Sequence, residues 1–66
     1  MADNLDLQAR RKRLHLNQRQ VAQALGVKRP AYISEFETAD IAIPGVSRED
    51  YVNLLERLER EAGITA

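Results

Sequence analysis

The stretch NQRQVAQALGVKRPAYISEFE, Asn17 to Glu37, reads as two short amphipathic helices joined at Gly26. Val21, Ala22 and Leu25 recur at i, i+1 and i+4, the apolar stripe of one helix, and Ile33 and Phe36 give the next its own stripe. Asn17 is a good N-cap, leaving Gln18 in the first turn. Gly26 supplies the positive φ that closes a helix and lets the chain bend sharply. Pro30 suits the first turn of the second helix, where no backbone N–H is needed, so that helix is expected from about Pro30 to Glu37. Two such helices need a third face to bury their stripes against.

With Ile33, Phe36 and Glu37 turned inward and about 100° per residue, the outward positions of the second helix are Ala31 and Glu35, flanked by Lys28, Tyr32, Ser34 and Thr38. Lys28 and Arg29 stand at its N-terminal end, where a helix entering the major groove meets base edges and where its dipole favours phosphate. Arg29 suits the two acceptors of a guanine, and Tyr32 a thymine methyl or a phosphate. Asn17, Gln18 and Arg19, at the start of the preceding helix, complete the candidate DNA-contacting set with Lys28, Arg29, Ala31, Tyr32, Ser34 and Glu35.

Upstream, Arg11 lies between Leu7 and Leu14 at i, i+4, i+7 spacing and so points toward the core side of a first helix. A charge there needs a partner. Glu37, four residues after Ile33 on the inward face, is the natural one, and a structural ion pair between Arg11 and Glu37 is expected.

Downstream, TADIAIPGV holds a turn at Pro44 and Gly45, while alternating Ile41 and Ile43 suit a strand-like edge laid on the core. Ser47 and Asp50 form a capping box. Tyr51, Leu54, Leu55, Leu58 and Ala62 follow at helical spacing, predicting a helix from about Arg48 to Glu61, ended by Gly63. Its outer face carries Glu56, Arg57, Glu59 and Arg60, with Glu56 and Arg60 at i, i+4. Two uses are open to this helix: the Leu54 and Leu58 edge closes the core, or the Leu55 edge meets a twin. Leu54, Leu55 and Leu58 are therefore the candidate dimer interface.

The 66 residues allow one domain, 1–66, with a small core that self-association would help. The fold class expected is all-α, a compact bundle of four helices, or five if the loop adds one. Without cysteine, nothing depends on disulfides or thiolates, and a reducing cytoplasm is compatible. The start shows no long apolar run, so neither signal peptide nor membrane span is expected. Net charge is zero but uneven: residues 1–29 carry +5 and residues 30–66 carry −5. The run Arg10 to Arg13, less the inward Arg11, offers three solvated charges that, with Arg19, Lys28 and Arg29, can face phosphate. One His, no Cys, no Gly-rich phosphate loop and no clustered carboxylates argue against an enzyme, a metal site or a cofactor.

The segment from about Leu7 to Glu37 resembles the Cro and lambda-repressor type of helix-turn-helix proteins, the XRE type. RKRLHLNQRQVAQALGV carries an Arg in the first helix, a Leu before the cap, Gln at the start of the second helix, then Ala, Leu, Gly and Val in the family's order. The resemblance implies a lambda-repressor-like bundle, a phosphate contact by Gln18 and the same Arg11–Glu37 pairing. Three departures stand out. The interval from Gly26 to Glu37 is one residue longer than is common, His15 stands where Gly is frequent in a left-handed conformation, and Thr38-Ala39-Asp40 stands where the family often places Gly and a basic residue that touches phosphate. Function expected from the likeness is a small cytoplasmic transcriptional repressor, of the type found in phages and other mobile elements, that occupies an inverted-repeat operator as a homodimer and regulates its own operon. The alternative is an antitoxin-like interaction module, its acidic half bound to a protein partner and DNA binding secondary.

Overall fold

Most of the helix ends lie at a local signal in the chain. The computed structural model describes residues 4–63, in which α1 (Leu5–Arg13), α2 (Gln18–Leu25), α3 (Pro30–Ala39) and α4 (Arg48–Glu61) follow one another. The loop adds no fifth helix among the described residues.

Two capping boxes fix the starts of α2 and α4. The Asn17 side chain accepts from the Gln20 N–H while the Gln20 side chain accepts from the Asn17 N–H, both at 2.8 Å. Ser47 and Asp50 exchange the same pair of bonds at 3.1 Å. The ends of α1 and α2 share one closure. His15 (φ 60°) and Gly26 (φ 75°) adopt the left-handed conformation. The Leu16 N–H then turns back to the Arg11 carbonyl at 3.2 Å, and that of Val27 to Ala22 at 2.7 Å. His15 thus does with a side chain what Gly26 does without one.

Helix α3 runs two residues past the expected Glu37, to Ala39. Asp40, at φ 56°, stops it by entering the left-handed region, and Thr38 Oγ1 donates to the Ser34 carbonyl at 2.8 Å over the last turn. The loop that follows puts only half of the expected edge on the core: Ile43 is buried, while Ile41 is 51% exposed. A turn at Pro44 and Gly45 pairs Ile43 with Val46 in an isolated bridge.

Helix α3 packs against α2 and α1, and α4 closes over α1 and α2. The core is built from Leu7, Val21, Ala22, Ile33, Phe36, Ile43, Tyr51, Leu54 and Leu55, with the Phe36 and Tyr51 rings stacked at 5.4 Å between centroids. That membership corrects part of the dimer expectation. Leu55 is 0% exposed and Leu54 7%, so both serve the chain's own core. Drawing Leu55 out to a partner would forfeit about 1.5–3 kcal/mol of burial. Leu58 is half-buried and lines an apolar hollow with Leu14, Leu16 and Ala62.

Candidate functional site

The side chain of Glu37 organises the region from which the exposed basic residues project. It is fully buried on α3, where an isolated carboxylate would be costly. Arg11 of α1 grips it with two N–H groups, Nε to Oε2 at 2.7 Å and Nη2 to Oε1 at 3.1 Å. The Tyr51 hydroxyl of α4 donates to Oε2. Gln18 of α2 and Gln8 of α1 donate to Oε1 at 3.3 and 3.4 Å. One carboxylate therefore ties α3 to all three other helices. Arg11 is satisfied further by the Leu16 carbonyl at 2.8 Å, and no buried side-chain polar atom among the described residues lacks a partner.

Protonation follows from the same contacts. Burial pushes the Glu37 carboxyl up, but the hydrogen bonds from Arg11 and Tyr51 and the Arg11 charge outweigh it and hold the group below the ordinary glutamate range. Its hydrogen bond to Glu37 holds the Arg11 guanidinium above its usual value against desolvation. Burial, then the bond to Glu37, pushes the Tyr51 phenol up, so it remains a proton donor.

The exposed surface of α2 and α3 carries most of the residues singled out in the sequence. Asn17, Arg19, Lys28, Arg29, Ala31 and Glu35 are exposed, while Gln18, Tyr32 and Ser34 are half-buried. Arg19, Gln23 and Lys28 line one hollow between α2 and the start of α3. Lys28, Arg29, Tyr32 and Pro44 line its neighbour. Lys28 belongs to both, so the junction is a continuous basic surface. Arg29 is the N-cap of α3 in extended conformation and makes no side-chain cap bond, and Pro30 occupies the first turn. The guanidinium is thus left outside the fold.

Three of these residues also carry structural duties, that of Asn17 being the expected N-cap. Gln18 gives one amide N–H to Glu37, leaving the other for an outside acceptor. The Asn17 side-chain oxygen is engaged in the cap, and the Tyr32 ring packs against the core. Gln23, four residues after Arg19 and so on the same face, was not singled out; that spacing is the sequence feature that identifies it.

The basic run is narrower than expected. Arg10 donates to Glu59 through Nε at 2.9 Å and Nη2 at 2.6 Å, so Lys12 and Arg13 are its solvated members rather than three residues. Glu59, expected on the outer face of α4, is buried against α1 by this pair. The hydrogen bond from Arg10 holds its carboxyl below the ordinary range. Glu56 and Arg60 form no ion pair among the described residues. Asn4 was also missed: fully buried, it donates to the Phe36 carbonyl at 2.9 Å and to Asp40 Oδ1 at 2.7 Å, and accepts from Arg48 Nε at 3.0 Å. It joins the start of α1 to the end of α3 and the start of α4.

Among the described residues no group of three His, Cys, Asp or Glu side chains could hold a metal ion, and no helix is long and apolar enough to cross a membrane. A protein-family model described as helix-turn-helix matches residues 7–48, which span α1 to the start of α4. Comparison with curated proteins and with solved structures gave no match.

Proposed function

We propose, from the premise that this chain belongs to the helix-turn-helix family of the Cro and lambda-repressor type, that it represses transcription by seating α3 in the major groove of an inverted-repeat operator as a homodimer. Membership makes it a DNA-binding transcriptional regulator. One observation carries the finer reading: α3 is tied to the other three helices through Glu37, while Ala31 and Glu35 on its outer side, and Lys28 and Arg29 immediately before it, are exposed. A helix held this firmly presents base-reading groups without a backbone-ordering cost at binding.

The roles divide by chemistry. Arg29, at the start of α3, supplies a planar fork for the O6 and N7 acceptors of guanine. Lys28 and Arg19, sharing one hollow, neutralise phosphates, as does Gln18 with its remaining amide N–H. Ala31 is small enough for the helix to approach a thymine methyl.

Homodimerisation is supported by size. A single module of 66 residues buries little DNA surface, whereas a symmetric pair reads two half-sites about 34 Å apart. The half-buried Leu58, beside Leu14 and Leu16, leaves an apolar hollow for a twin, in place of the Leu55 edge. An autoregulated operon of a mobile element is the setting the likeness suggests.

The decisive experiment is selection from a random duplex library of about 30 base pairs at near-physiological salt. An enriched inverted repeat is the expected outcome. Absence of enrichment, with the same protein pulling down a neighbouring gene product, would transfer the function to the antitoxin-like alternative.

A further inference from the structure

Helix α3 presents one free negative charge to the surface assigned to DNA. Glu35 is exposed, and its carboxylate makes no hydrogen bond or ion pair among the described residues. It lies on the side opposite the buried Ile33, Phe36 and Glu37, one turn beyond Ala31. Of its outward neighbours, Ala31 has no polar group and the Thr38 hydroxyl gives its proton to the Ser34 carbonyl at 2.8 Å, so Glu35 is the exposed charge of this helix. Two cations, Lys28 and Arg29, precede the helix, and neither pairs with Glu35.

A carboxylate in this place is costly against DNA in general. The major groove is about 12 Å wide, so a group near its centre lies about 6 Å from either phosphate wall. That is within the screening length of about 8 Å at physiological salt, and the repulsion is felt. Only a hydrogen-bond donor on the groove floor offsets it. Guanine offers N7 and O6, both acceptors, and thymine offers an acceptor and a methyl group. Adenine has a donor at N6 but sets the N7 lone pair beside it. Cytosine alone presents a donor, the N4 amino group, with no acceptor of its own next to it.

We propose that Glu35 is a specificity-determining residue that accepts a hydrogen bond from the N4 amino group of a cytosine in each half-site. The proposal rests on the DNA-binding function above and deepens it. Four residues separate Glu35 from Ala31, a rise of about 6 Å along the helix, so this cytosine lies within about two base pairs of the pair beneath Ala31. The two ends of α3 then read with opposite signs: Arg29 seeks acceptors, and Glu35 seeks a donor and repels everything else. Because repulsion is the default, Glu35 lowers affinity for random sequence while sparing the operator.

The test compares full-length wild type with Glu35→Gln in parallel selections from one random duplex library, followed by titration of the selected duplex and its single-base variants. Wild type is expected to enrich a cytosine at one symmetric position and to prefer it there over adenine by about 5- to 150-fold. A glutamine side chain presents a donor and an acceptor that match adenine N7 and N6. Glu35→Gln should therefore switch that one position to adenine and bind random duplex several-fold more tightly. An unchanged melting temperature is expected, since Glu35 supports no contact in the fold. If both proteins select the same base at every position, or if the variant gains affinity uniformly with no change of sequence, the proposal is overturned while DNA recognition stands. If wild type enriches nothing, DNA recognition itself falls, and this proposal with it.

Discussion

Replacing Glu37 by alanine should bring the domain close to the edge of stability. The variant removes an acceptor of five hydrogen bonds, from Gln8, Arg11 twice, Gln18 and Tyr51. Arg11, whose side chain is 6% exposed, is left with a buried charge and the Leu16 carbonyl as its remaining partner. Breaking a buried ion pair from one side costs about 3–5 kcal/mol, and a stranded buried hydroxyl such as that of Tyr51 costs about 1–3 kcal/mol on its own. The two overlap, so a loss of about 4 kcal/mol is expected. Domains of this size hold roughly 3–10 kcal/mol in all. At about 4–8 °C per kcal/mol, the melting temperature should fall by about 16–32 °C. Urea unfolding followed by circular dichroism gives the number directly. The control is the triple variant Arg11→Met, Glu37→Leu, Tyr51→Phe, which removes charge and hydroxyl together and should recover most of the loss, because neither is left unpaired. A Glu37→Ala variant that loses under about 1 kcal/mol would refute the reasoning, placing the pair with exposed ones.

Stability should form a dome in pH. The folded Glu37 carboxyl titrates below its unfolded value of about 4.3, so its contribution is present above that pH and is lost as acid carries the solution through the folded value. Tyr51 acts oppositely: its folded value lies above the unfolded value of about 10, so its contribution is full below pH 10 and fades above it. Urea midpoints from pH 2 to 11 test both arms, and Tyr51→Phe should flatten the alkaline one; a flat profile from pH 5 to 2 would contradict the first. His15→Gly should raise stability by about 0.5–1 kcal/mol, since a side chain in the left-handed region carries a penalty of about 1–2 kcal/mol, partly offset by glycine's freedom when unfolded. No gain in a thermal melt would mean that the imidazole makes a compensating contact. On the selected operator, Arg29→Ala should cost about 1–3 kcal/mol and relax one base position, whereas Gln18→Ala should weaken binding to every sequence alike. Equal losses for Arg29→Ala on operator and random duplex would remove that residue from base reading.

Local chemistry dictates that α2, α3 and α4 form, where each begins, and which face α2 and α3 turn outward. Such features are settled within about four residues: the Asn17 and Gln20 exchange, the left-handed Gly26, the Pro30 start and the Ser47 and Asp50 box all close inside one turn. The Arg11–Glu37 pair was legible too, though its partners lie 26 residues apart, because a charge amid apolar positions on each helix demanded a counter-charge in the shared core. Tertiary structure decided what periodicity leaves open. Leu54, Leu55 and Leu58 all satisfy the same helical spacing, and only the way α4 crosses α1 and α2 puts Leu55 at 0% exposure and leaves Leu58 half-covered. The same crossing turned Glu59 from an expected surface residue into the partner of Arg10, 49 positions away. Asn4 stands outside any helical stripe, yet it joins the ends of three helices. For the leucines and Glu59 the cause is the same. A stripe fixes which side of a helix is buried, while the angle at which helices pack fixes which residues at the stripe's margin meet a partner, and that angle is a property of the assembled core.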